Sequence, residues 1–272
     1  MSSDSTAKTI GVTLAVTIVA SVIVSSLVVI LRPIQEVNKA IDKKRNVLIA
    51  IGIKVDKSKV EEEFKKITSQ VVDITTGDQV EGAVPADFDM GKVLRDPSQV
   101  ITLAKKDDIA GIAKITKQQV VYLVRSSSGE LQNLILPIYG KGLWSTMYGF
   151  IALKKDLNTV EGLTFYQHGE TPGLGGEVDN PKWKDKWPGK FIYSKEGEIK
   201  VQIIKGAVTD KTPEKEFKVD GLSGATLTTR GVSNLIRFWV GDNGYGKFIA
   251  QLKSGGKSTS KTEPETNEEA PK

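Results

Sequence analysis

A chain of 272 residues with 39% hydrophobic and 26% charged side chains has room for one large domain or for two small ones with accessories. It contains no cysteine and a single histidine, His168, which excludes disulfides, thiolate catalysis, cysteine-bound iron–sulfur centres and multi-histidine metal sites. With no cysteine, any redox role needs a borrowed cofactor, and the net charge of +5 arises from Lys and Arg interleaved with Asp and Glu, the pattern of a solvated surface rather than of a nucleic-acid face.

Residues 10–31 carry no charge, and as a helix these 22 residues would span about 33 Å, enough to cross a bilayer. A transmembrane anchor is expected, with residues 1–9 on the cytoplasmic side. A cleaved signal peptide is the competing reading, opposed by the length of the run and by the lack of a clear small-x-small site after it. Arg32, Lys39, Lys43, Lys44 and Arg45 follow the span and only Lys8 precedes it, so the positive-inside count would keep the large domain in the cytoplasm. Residues 32–100 are expected to form a membrane-proximal region of helix and loop. It comprises a helix over about 37–53, a second over 57–67 with Val60, Phe64 and Ile67 on one face, and a loop over 77–97.

Residues 101–253 read as the main domain. Strands are expected at 111–116, 120–125 and 131–139, the last two joined by a Ser-Ser-Ser-Gly turn into a hairpin. In Gly142-Leu143-Trp144-Ser145 the glycine lets backbone approach closely, and Trp144 is first a core side chain and secondly a flat face for a ring. Four glycines fall between Gly169 and Gly176, after a strand that ends near His168. Either the segment is a connection turning at Pro172 or it approaches a ligand closely. His168, Glu170 and Thr171 can hydrogen-bond a heteroaromatic ligand, a structural role for His168 being favoured over catalysis. Trp183 and Trp187 lie in what reads as an irregular surface segment, followed by strands at 192–195 and 199–204 around Glu196-Gly197.

The stretch Asp220-Gly221-Leu222-Ser223-Gly224-Ala225-Thr226 precedes an amphipathic helix on which Val232, Leu235, Ile236, Trp239 and Val240 share one face. The free N–H groups of its first turn, beside a hydroxyl cluster, suit an anion, and an ordinary turn and helix cap would look the same. The stretch is not a Walker A loop, since only two residues separate its glycines and no lysine follows. A short apolar helix with Phe248, Ile249 and Leu252 comes next, and residues 254–272, rich in Ser, Thr, Lys, Glu and Pro, read as a disordered tail. The pattern as a whole is α+β: one transmembrane helix, then a domain with a twisted, largely antiparallel sheet and packed helices, its strand order open.

Asp220-Gly221-Leu222-Ser223-Gly224-Ala225-Thr226 resembles the flavinylation motif of FMN-binding domains. There FMN is esterified through its phosphate to the final threonine by a separate Mg-dependent transferase that uses FAD as donor. Three other features accompany it: the single span with Gly142-Leu143-Trp144-Ser145, then His168-Gly169-Glu170-Thr171-Pro172-Gly173-Leu174-Gly175-Gly176-Glu177-Val178, then Trp187-Pro188-Gly189-Lys190. With these, the chain resembles the C subunit of bacterial sodium-translocating NADH:quinone oxidoreductases from the anchor to about Leu252.

The resemblance implies an electron-relay subunit with FMN on Thr226, held by the loop of Asp220, Ser223, Gly224 and Ala225. It places Trp144, Glu170, Thr171, Gly173, Leu174 and Gly175 around the ring, with backbone N–H groups near Gly173, Gly175 and Gly176 facing its polar edge. It also implies no catalytic or metal-binding residue, membrane and flavin subunits as partners, a flavin transferase during maturation, and a domain on the periplasmic side of the inner membrane, against the charge count. With no Gly-x-Gly-x-x-Gly before a helix and no carboxylate in the span, NADH oxidation and sodium transfer fall to partner subunits. The alternatives are the related flavin subunit of a ferredoxin/NAD electron-transport complex and a non-redox membrane-anchored scaffold.

Overall fold

The computed structural model describes residues 5–85 and 90–255. The expected tail, apart from Ser254 and Gly255, lies outside the described residues, as do 1–4 and, within the 77–97 stretch, 86–89. A single helix of 45 residues, α1 (Thr6–Ala50), opens the fold and starts at Ser5, whose hydroxyl accepts the Lys8 N–H. Its apolar side chains are exposed from Ile10 to Val37, as a membrane span requires of a helix with no protein around it. The separate helix expected over 37–53 is thus a continuation of this same helix. Pro33 lies inside the helix without ending it, and the last turns gain their own support by burying Val47, Leu48 and Ala50 against the domain.

The second expected helix is also corrected. A 3₁₀ turn at Lys57–Lys59 leads into the short α2 (Val60–Phe64), and the chain then extends as β1 (Ile67–Asp73). Ile67 is buried as the first residue of a strand rather than as part of a helix face, since it is followed by the β-forming run with Val71 and Val72. Next come α3 (Met90–Val93), a two-stranded ladder of β2 (Val100–Thr102) with β3 (Lys114–Thr116), and the strands β4 (Gln118–Arg125), β5 (Leu131–Lys141), β6 (Thr146–Lys154) and β7 (Val160–Gln167).

The main sheet has five antiparallel strands in the order β1-β4-β5-β6-β7, with the expected hairpin as its β4–β5 pair. Both faces are covered. Val121, Leu123, Leu134, Leu136, Ile138, Ile151 and Leu153 enter one core, and the intervening Val120, Tyr122, Ile135, Phe150 and Ala152 enter another with the end of α1. Burial on two sides explains why these strands read as apolar runs instead of alternating apolar and polar residues.

The remaining elements are α4 (Pro181–Lys184), β8 (Gln202–Ile203) paired in parallel with β9 (Lys218–Val219), α5 (Thr226–Val240) and α6 (Gly246–Lys253). Trp183 and Trp187, expected at the surface, are buried in the larger core, where their rings meet edge to face. Of the strands expected at 192–195 and 199–204, only an isolated bridge between Tyr193 and Ile199 and the two residues of β8 form. The expected core face of α5, Val232 to Val240, is buried as the spacing predicts.

Helix α5 lies along β5. Leu235 packs on Gly140, and the Trp239 indole N–H donates to the Tyr139 carbonyl at 2.6 Å. The two backbones come closest where Gly231 crosses Lys141 and Gly142: a Cβ on Gly231 would overlap the Lys141 carbonyl oxygen. On the other face of the sheet α1 runs opposite to β7, with Asn46 accepting from Thr164 at 2.9 Å and the Ala50 carbonyl beside Gly162. The register of β5, β6 and β7 and the crossing of α5 over β5 bring the β5–β6 turn, the end of β7 and the start of α5 to the same end of the sheet.

Candidate functional site

Glu170 is the hub of that end. His168, two residues earlier, is fixed on both ring nitrogens: Nε2 pairs with Asp179 Oδ2 at 2.8 Å, and Nδ1 accepts the Glu170 N–H at 3.2 Å. This is the structural role expected of the histidine, and Nδ1 as acceptor places the proton on Nε2. The Gly169 N–H donates to Ser145 Oγ at 2.6 Å, which ties β7 to the β5–β6 turn.

The Glu170 side chain then turns inward and is only 5% exposed. Its carboxylate accepts from the backbone N–H groups of Leu143 (3.1 Å), Trp144 (3.0 Å) and Ser145 (3.3 Å) and from the Thr228 hydroxyl (2.6 Å). Burial pushes its pKa upward, but the Thr228 hydroxyl and the three N–H donors outweigh that and hold the carboxyl below its ordinary range, so it is an anion at neutral pH. The expectation that Glu170 supplies a hydrogen bond to a ring is therefore revised. Its oxygens are occupied in clamping the 143–145 turn onto the first turn of α5.

The clamp leaves Trp144 outside. It is 69% exposed, which corrects its reading as a core side chain: its backbone N–H is what the protein holds, and the indole is free to face a ligand. Leu174 and Leu227 are also exposed, and the Leu174 side chain lies over Gly224, whose φ of +70° and lack of a Cβ both matter, since a Cβ there would fall 2.9 Å from Leu174 Cδ2. Leu143 and Leu227 border one groove of about 240 Å³. Gly175, by contrast, is buried against Glu170 and Thr228, and the Gly176 N–H is used by the Thr171 carbonyl at 2.9 Å, so neither offers a free edge to a ring. Thr171 and Gly173 remain exposed.

The loop before α5 is braced from below. Asp220 accepts from the Lys186 ammonium and from the Val208 N–H (2.9 Å), and its carbonyl accepts the Trp183 indole N–H at 2.8 Å. Desolvation would raise its pKa, but the Lys186 and Val208 hydrogen bonds prevail and keep it low. Asp220 thus positions the loop, with both oxygens already engaged. The Leu222 N–H reaches Thr229 Oγ1 at 3.2 Å. Within the hydroxyl cluster, Thr228 and Thr229 are buried and bonded internally, whereas Ser223 and Thr226 are exposed. Thr226 is the first residue of α5, and Ala225 before it brings no side-chain cap. The N–H groups of this first turn therefore stay open to an anion.

Apolar walls from Trp144, Leu174 and Leu227, an exposed hydroxyl and an uncapped helix start are a donor set that fits a flavin phosphate: anion at one end, flat apolar ring at the other. Among the described residues no group of His, Asp and Glu could hold a metal ion. Sequence reasoning missed Thr228 and Lys186, although Thr228 shares with Thr226 the Thr-x-Thr spacing that sends one hydroxyl outward and the other inward at a helix start.

Residues 142–241 match the family model described as FMN-binding domain. The chain is 46% identical over 258 residues to the C subunit of the Na(+)-translocating NADH-quinone reductase of Pseudomonas aeruginosa, covering 93% of this chain and 98% of the relative. It is 42% identical to the C subunit of the same reductase from Haemophilus ducreyi, over 93% and 96% of the two chains. The crystal structure of Shewanella oneidensis NqrC superposes with a TM-score of 0.73 at 34% identity, over 80% of this chain and 99% of that one. The crystal structure of the corresponding reductase subunit from Parabacteroides distasonis gives a TM-score of 0.62 at 29% identity, over 80% and 96%. The chain belongs to the NqrC family, the C subunits of the Na(+)-translocating NADH-quinone reductases.

Proposed function

We propose that Thr226 carries FMN as a phosphoester and that the chain relays electrons between partner subunits of a sodium-translocating NADH:quinone reductase in the bacterial inner membrane. The observation that supports this most is the exposed Thr226 hydroxyl at the uncapped start of α5, with apolar side chains exposed beside it. When bound, FMN supplies one- and two-electron redox chemistry.

The protein's own residues hold and shield. The first-turn N–H groups of α5 face the phosphodiester charge, Trp144 and Leu174 offer apolar area to the ring, and Glu170 keeps the turn bearing Trp144 fixed relative to Thr226. The α1–β7 arrangement supports delivery to membrane partners. From Thr164 to Gly169 the strand direction covers about 16 Å. The same distance back along α1 from Asn46 reaches roughly residue 35, close to the end of the apolar span. That supports a site turned toward the bilayer; in this reading the domain lies on the periplasmic side and a flavin transferase is its maturation partner.

Replacing Thr226 with Ala tests the attachment. The full-length chain co-expressed with a flavin transferase should fluoresce under ultraviolet light after denaturing electrophoresis, and the Thr226→Ala chain should not. Flavin retained by the Ala variant through denaturation would refute the assignment.

A further inference from the structure

A second cleft of about 240 Å³, lined by Thr226 but by neither Trp144 nor Leu174, runs between the first three turns of α5 and the β8 segment. Thr226, Arg230, Ser233 and Arg237 recur at helical spacing and line it from α5, while Lys205 lines it from the other bank. No carboxylate lines the cleft, and none of its three cations pairs with an acid among the described residues. Thr226 thus shares this cleft with a row of arginine and lysine of the kind that recognises phosphate, while the exposed Leu227 follows it in the chain. One phosphodiester at a helix start does not need three cations extending to Arg237, about 16 Å along α5 from Thr226.

We propose that this cleft receives the nucleoside monophosphate released when the ester at Thr226 is made; the proposal rests on Thr226 being the attachment residue. A phosphate monoester does not esterify an alcohol unaided, because an oxygen must leave phosphorus, so the reaction that supplies the ester has to start from an activated flavin nucleotide. A flavin dinucleotide meets that need. Thr226 Oγ forms a bond to the flavin-side phosphorus, and the bond from that phosphorus to the bridging oxygen breaks. The bridging oxygen leaves with the electron pair as part of the nucleoside monophosphate, the Oγ proton passes to a base of the transferase, and no atom changes oxidation state. Negative charge accumulates on the departing phosphate, next to Arg230, while Lys205 and Arg237 extend the cationic track along the rest of the nucleotide.

The test uses the full-length chain in detergent, produced without a transferase so that Thr226 is free, with AMP as the probe followed by phosphorus NMR and calorimetry. AMP should bind saturably, and Lys205→Gln with Arg237→Gln should weaken it by about tenfold or more, with recovery in the Lys205→Arg, Arg237→Lys pair. Because both side chains are exposed, the fold should persist, which circular dichroism checks. With transferase and FAD added, the Gln pair should slow flavin attachment by about tenfold while the flavin still ends on Thr226. Absence of AMP binding, equal binding by the Gln pair, or inorganic phosphate competing as tightly as AMP would overturn the proposal. AMP binding together with flavin found away from Thr226 would instead show that the attachment reading has failed, and the leaving-group role with it.

Discussion

Glu170 works from beneath the site, as a buried anion whose four hydrogen bonds join the Trp144 turn to α5. Its carboxyl is held below its ordinary pKa, so its contribution to stability is full above the unfolded value of about 4.3 and is lost as pH falls through the lower folded value. Glu170→Gln should therefore cost roughly 1–3 kcal/mol at pH 7, where an amide nitrogen replaces one acceptor oxygen, and the gap from wild type should narrow as the solution is acidified below that range. Denaturant unfolding of both full-length chains across pH reads this. A difference that stays constant with pH would mean that the charge is not what matters. Sequence made Glu170 legible as a site residue but not its direction: Glu-Thr-Pro-Gly fits a side chain facing a ring as well as one folded under a turn. Only the closure of β5–β6 over Thr228 decides between them. Trp144 was legible in the same partial way, since its exposure follows from Glu170 holding its backbone while its indole is left outside the core.

At the scale of elements, α5 and β5 set the spacing of the site, and their contact depends on Gly231. In an exposed helix interior Gly→Ala gains about 1 kcal/mol. Here the added methyl would overlap the Lys141 carbonyl oxygen, so the sign should reverse and Gly231→Ala should lose roughly 1–3 kcal/mol, seen as a lower thermal midpoint. A raised midpoint would show that the two backbones separate freely. The apolar face of α5 was readable because its buried residues keep helical spacing, as was the β4–β5 hairpin because polar turn residues separate two apolar runs. Less legible was the course of α1. The uncharged run stops at Leu31 and reads as separate from the helix expected over about 37–53, whereas Val47, Leu48 and Ala50, packed on the sheet, support one helix that continues through Pro33. Ile67 shows the same override, since its place on a helical face with Val60 and Phe64 gives way to pairing with Val124.

For the whole molecule, the proposed orientation has the antiparallel course of α1 and β7 turning the Thr226 end of the sheet toward the membrane. Basic residues after the span argue for a cytoplasmic domain, but that rule counts short loops, and a long folded domain follows here. Since the chain has no cysteine, a single Lys211→Cys at an exposed position makes a clean reporter. A membrane-impermeant maleimide should label it in intact spheroplasts, and labelling only after lysis would place the domain in the cytoplasm. The central claim, that one exposed hydroxyl at the start of α5 is the point of attachment, is tested most directly by tandem mass spectrometry of the proteolysed holoprotein. The mass of FMN less one water should fall on the peptide containing Thr226, with fragments assigning it to that residue. Its assignment to Ser223, or to a peptide outside residues 220–230, would contradict the account.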